Sequence, residues 1–206
     1  MSTVVAKCVE QLDRACQSLA AGLTIVLVDD RVGEAYLAAA AQYVTTESVA
    51  YLVRHSSGLV RVALNASACV RMNLPPMWAL TGETAGFTVT VDAANSAGTG
   101  ISAADRACTI RALADPLSGP RDFSRPGHVL PVRVEGGGTI RDARAEEVVV
   151  AATRHAGLFP AGVLAELVSE WDPTGIASRR EAIDFAAREG LDLLSASDVV
   201  SACGWS

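Results

Sequence analysis

Basic residues are scarce in this chain. Its 17 Lys and Arg stand against 23 Asp and Glu, a formal charge of −6, so the basic stripe of a nucleic-acid surface is missing. Charged residues make up only 19% and hydrophobic ones 50%, a balance that excludes an intrinsically disordered chain. No apolar run approaches the roughly 20 residues of a membrane span, and the most apolar segment, Leu23 to Val28, is strand-sized and stops at Asp29-Asp30. The first residues lack the basic start and apolar stretch of a secretion signal. The five cysteines are an odd number, widely spaced and without a CxxC pair. They predict reduced thiols in a cytoplasmic protein, with neither a disulfide frame nor a zinc site. Only three histidines occur, His55, His128 and His155, and none lies at helical spacing from another. A multi-histidine metal site is therefore not expected.

What remains is a pattern of short elements over 206 residues, enough for one domain with a continuous core. Val4 to Ala21 carries apolar residues at three-and-four spacing, with Gly22 placed to end the helix. Leu23 to Val28 reads as a buried strand. Asp29 to Tyr36 reads as an acidic loop leaving its end, a common place for chemistry. Thr45-Thr-Glu47 opens a helix that stops at Ser56-Ser-Gly58. Leu59 to Leu64 reads as a strand, Ala68 to Met72 as one helical turn, and Phe87 to Val91 as the clearest strand by alternation. Ser102-Ala-Ala-Asp105, Ser178-Arg-Arg-Glu181 and Ser195-Ala-Ser-Asp198 are capping boxes that open three helices. Glu146 to Ala156 predicts a further helix ending at Gly157, Gly136 to Gly138 a turn, and Leu191 to Leu194 a short strand. Strands and helices mix without strict alternation, which predicts a single α+β domain over residues 1–206.

The familiar site motifs are missing. Gly98-Thr-Gly100 lacks the third glycine of a dinucleotide fingerprint and reads as a turn before a helix. There is no nucleophile elbow, and no cysteine has a histidine near it in sequence. Asp29, Asp30 and Glu34 could bind a cation or move protons. A solvated acidic loop would look the same. His128 sits in Arg125-Pro-Gly-His128, which reads as a rigid turn, and His155 at a helix end reads as a surface residue.

Several ordered segments resemble the 3,4-dihydroxy-2-butanone 4-phosphate (DHBP) synthase family of the riboflavin pathway. They are Arg54-His-Ser-Ser-Gly58, Phe87-Thr-Val-Thr-Val-Asp-Ala93, Gly98-Thr-Gly-Ile-Ser-Ala-Ala-Asp-Arg106, Phe123-Ser-Arg-Pro-Gly-His128 and Ala156-Gly-Leu-Phe-Pro-Ala-Gly162. The resemblance implies an α/β sandwich of mixed sheet and flanking helices, working as a homodimer with active sites at the subunit interface. Where the family's acidic loop places a magnesium-binding Glu and a substrate-binding Asp, an ungapped count from Thr45 puts Val32 and Tyr36, while Arg31 and Glu34 match. Where the family's second metal and phosphate element places His and Thr, this chain has Ala145 and Glu146. Arg61 replaces a Cys. His128, which in the family reaches into the partner's site, and Glu166 are kept.

Valine and alanine cannot ligate magnesium, which takes hard oxygen donors, and a carboxylate at Glu146 repels a phosphate dianion. The expected site is Glu34, His128 and Glu166 as acid–base residues, with Arg31, Tyr36, Arg61, Thr109 and Arg144 binding substrate and no metal. The alternative for the metal is Mg2+ in a site rebuilt from Asp29 and Asp30. The function favoured on these grounds is a metal-independent lyase, isomerase or cyclase acting on a small carbonyl metabolite. One alternative is the authentic synthase, converting ribulose 5-phosphate to DHBP and formate. The other is a non-catalytic homologue that binds a metabolite or partner protein.

Overall fold

The computed structural model describes residues 3–77, 86–135 and 143–203. The anticipated turn at Gly136 to Gly138 lies outside them. Helix α1 (Thr3–Ala20) ends at Gly22, whose φ of +76° favours glycine. Strands β1 (Ile25–Asp29) and β2 (Glu34–Ala40) follow as an antiparallel hairpin with Asp29 opposite Glu34. The acidic segment is therefore a tight turn between strands rather than a loop, and Glu34 and Tyr36 are strand residues. The rest of the chain forms α2 (Thr46–His55), β3 (Arg61–Asn65), α3 (Ala66–Arg71), β4 (Val91–Ala93), α4 (Ala103–Leu113), β5 (Phe123–Val134), α5 (Ala145–His155), β6 (Ala161–Glu166), α6 (Arg179–Glu189), β7 (Leu193–Ser195) and α7 (Ala196–Cys203). None of the described helices is long and apolar enough to cross a membrane.

The seven strands among the described residues form one mixed sheet in the order β4-β5-β3-β6-β2-β1-β7, as the α+β reading requires. One core joins the sheet to α2, α4 and α6, around Leu52, Ile110 and Phe185; the other joins it to α1, α5 and α7, around Leu12, Val149 and Val199. Two strands are not apparent in the sequence pattern. β5 carries Pro126, Gly127 and Pro131, which interrupt the alternation, so Arg125 to His128 lies in a strand and not in a turn. β6 is rich in alanine and glycine, residues with little strand preference. Conversely, the Phe87 to Val91 run forms only isolated bridges at Phe87 and Thr88, and the ladder begins at Val91.

Gly162 lets α5 settle on β6, because a Cβ there would overlap the side chain of Val149. Gly162→Ala is expected to destabilise the fold by about 1–3 kcal/mol through overpacking. Adding Val149→Ala should return part of that loss, as read by urea titration. The cap of α6 gives a second expectation. Hydrogen bonds from Ser169 and Ser178 pull the Glu181 carboxyl down to about 2. A depressed carboxylate contributes stability above its unfolded value, and that contribution fades as pH falls towards 2. Glu181→Gln should therefore lower the melting temperature near neutral pH and converge with the parent chain near pH 2.

Candidate active site

Strand register gathers one set of side chains under the start of α5. Asp29 pairs with Glu34, Leu27 and Glu166 both pair with Tyr36, and Arg61 pairs with Leu164, two residues before Glu166. Because side chains alternate along a strand, Asp29, Glu34, Tyr36, Arg61 and Glu166 share a face of the sheet. Arg144, Glu146 and Glu147 stand at the first turn of α5, where the helix dipole favours negative charge.

At the middle of this group lies the Arg61 guanidinium. Its Nη1 donates to Glu146 Oε1 at 2.7 Å, and its Nη2 lies 2.8 Å from Glu166 Oε1 as an ion pair. That second contact is off the hydrogen-bond axis, so Nη2 is paired by charge rather than by a well-aligned hydrogen bond. Arg61 and Glu146 are only 6% and 5% exposed, so each charge depends on the other for compensation. The guanidinium carbon also sits 5.3 Å from the centre of the Tyr36 ring.

Around this pair the other polar groups are held in place. The Tyr36 hydroxyl donates to Glu34 Oε2 at 3.2 Å. Burial pushes that phenol well above its ordinary value, so it stays a neutral donor. Ser57 Oγ donates to Glu166 Oε2 at 2.9 Å. Arg31 grips Asp29 through Nε and Nη2 at 3.2 and 3.1 Å. The Arg144 backbone N–H and Nη2 donate to Glu147 at 2.7 and 2.9 Å.

Of the residues expected from the sequence, Arg31, Glu34, Tyr36, Arg61, Arg144 and Glu166 come together. Arg31, Arg61 and Arg144, expected to bind substrate, each hold a carboxylate of the chain itself. Thr109 does not belong to the site. It is fully buried, accepting the Ala93 N–H and donating to the Asp105 carbonyl, which ties α4 to β4. Its neighbour Cys108 is half-buried with its thiol facing Asn95.

His128 lies apart on β5, where its Nδ1 is 2.8 Å from Asp92 Oδ2 and its backbone N–H donates to the same carboxylate. Its ring is substantially exposed, so Asp92 orients an imidazole towards the surface. Asp92 also explains Gly100, whose φ is +89° and where a Cβ would collide with that carboxylate. Sequence reasoning missed Asp92, Ser57 and Glu147 as partners. Ser57 and Asp92 stand inside segments already notable for their resemblance.

The donors present do not make a magnesium shell. Asp29 is bound to Arg31, Asp30 is paired with Arg179 and accepts the Ser197 N–H, and Glu146 and Glu166 face Arg61. Val32 is an exposed turn residue and Ala145 a buried helix residue. Among the described residues no group of three or more His, Cys, Asp or Glu is placed to hold a metal ion.

A mixed sheet with helices on both faces and a polar cluster beneath α5 defines an α/β sandwich, and comparison with known proteins places it more closely. The family model for 3,4-dihydroxy-2-butanone 4-phosphate synthase matches residues 13–202, and the chain belongs to that family. It is 45% identical over 196 residues to the riboflavin biosynthesis protein RibBA of Rhodococcus jostii, covering 93% of this chain and 47% of that protein. RibBA of Mycobacterium tuberculosis is 44% identical over 195 residues, with 93% and 46% covered. The chain thus spans about half the length of these curated relatives. Among solved structures, the synthase of Candida albicans superposes with a TM-score of 0.83 at 37% identity, covering 92% of this chain and 95% of that one. A synthase in complex with two magnesium ions gives 0.85 at 37% identity, with 92% and 94% covered.

Proposed function

We propose that this centre carries out lyase- or isomerase-type acid–base chemistry on a small hydroxycarbonyl metabolite. The observation that carries the reading is the placement of two carboxylates on one sheet face, Glu34 beside the Tyr36 hydroxyl and Glu166 beside Ser57 and Arg61. Removing a proton from carbon next to a carbonyl needs a positioned base and a donor for the developing oxyanion. Glu166 is the base in this reading. Glu34 and the neutral Tyr36 phenol serve the substrate hydroxyl and carbonyl oxygens.

Within that class, the comparisons support the family's own reaction, ribulose 5-phosphate to DHBP and formate. Relatives that match nearly the whole chain are named for riboflavin biosynthesis, and the solved neighbours carry the synthase name. In that setting the protein is a cytoplasmic homodimer, and His128, oriented by Asp92, serves the partner's site. A second reading, a less anionic carbonyl substrate, is favoured by one feature. Arg31, Arg61 and Arg144 are all bonded to the chain's own carboxylates, which a phosphate dianion would have to displace.

Proton NMR in D2O tests both readings, with ribulose 5-phosphate in one sample and unphosphorylated ribulose in another. Formate and loss of carbon-bound proton signals from ribulose 5-phosphate are expected. Turnover of ribulose alone would favour the second reading. Folded protein that exchanges no carbon-bound proton in either substrate would overturn the proposed chemistry.

A further inference from the structure

We infer that Arg61 is a built-in cation, its guanidinium standing between Glu146 and Glu166 in place of a divalent metal, and that the centre takes no such metal. The inference rests on the acid–base reading of the same centre. Arginine keeps its charge under all ordinary conditions and presents a planar fork of donors. Here the fork is divided, with Nη1 on Glu146 and Nη2 on Glu166. A magnesium ion would need those same oxygens at about 2.0–2.1 Å in a nearly octahedral shell, next to a positive charge that repels it.

Three further observations point the same way. Among the described residues Arg61 Nε is buried without a hydrogen-bond partner, so the two carboxylates and the Tyr36 ring set the orientation of the group. Asp29 and Asp30 are engaged by Arg31 and Arg179, and Glu34, on the other side of the hairpin turn, accepts from the Tyr36 hydroxyl. Val32 and Ala145 offer no donor atom in their side chains. In this arrangement Arg61 is a positioning residue: together with Ser57 it fixes where the Glu166 carboxylate points.

The test is a Mn2+ titration of the full chain, following free Mn2+ by electron paramagnetic resonance, with thermal melts in Mg2+ and in EDTA. The synthase known to hold two magnesium ions serves as the positive control. The wild-type chain is expected to leave the Mn2+ signal undiminished into the millimolar range and to melt at the same temperature in both buffers. Arg61→Ser frees both carboxylates and is expected to gain Mn2+ uptake and a Mn2+-dependent rise in melting temperature. Wild-type uptake of Mn2+ at micromolar concentration overturns the inference, and that measurement stands whether or not the variant folds. A folded Arg61→Ser protein that binds no more Mn2+ than the wild type also overturns it. Turnover by a chain that does bind Mn2+ would defeat this inference while leaving the acid–base reading intact. Absence of both Mn2+ binding and turnover would do the reverse.

Discussion

Arg61→Ala is expected to be the most damaging single change to stability, costing about 3–5 kcal/mol, because it leaves Glu146 buried without its countercharge. Glu146 is 5% exposed and accepts from Arg61 at 2.7 Å, so water cannot easily replace the guanidinium. In a domain of this size each kcal/mol moves the midpoint by about 2–4 °C, which makes the loss plain in a melt or a urea titration. Arg61→Met combined with Glu146→Leu removes both charges together and should recover most of the stability. Recovery of that kind would mean the pair is kept for what it does at the site. A double variant as unstable as Arg61→Ala would mean that the buried pair itself contributes to holding α5 on the sheet.

Glu166→Gln is expected to have the largest effect on turnover, a fall of about 10²–10⁴-fold in kcat, the usual worth of a positioned general base. The amide keeps the size of the side chain but offers a single acceptor oxygen to Ser57 Oγ and Arg61 Nη2, so some loss of stability is expected and a melt is run beside the rate measurement. Formate release measured by NMR at saturating substrate reads the fall in kcat. A variant that keeps full kcat would remove Glu166 from the chemistry and pass the role to Glu34.

Much of the fold is legible in local chemistry. Ser102 accepts from the Asp105 N–H and Ser178 from the Glu181 N–H, as the capping boxes require, and β1 is a continuous apolar run. β5 and β6 are not legible. Their prolines, glycine and alanines carry little strand preference, and they are strands because β3 lies between them and pairs with both. The hairpin turn at residues 30–33 looks like a loop because its Asp and Gly residues dominate the pattern, while Tyr36 is already buried in β2.

For the site, the sequence shows substitutions but not their consequence. Arg61, Glu146 and Glu166 each look like an isolated departure or retention relative to the family. Arg61 and Glu146 are 85 residues apart, and only the sheet register under α5 makes them one ion-pair group. His128 shows the same limit, since its partner Asp92 lies 36 residues away on another strand.

The most direct measurement is formate release from ribulose 5-phosphate by metal-stripped protein in EDTA, run beside the same protein in Mg2+. Equal rates in the two samples are expected, because Arg61 supplies the fixed positive charge. Formate that appears only when magnesium is present would contradict a centre built on that guanidinium.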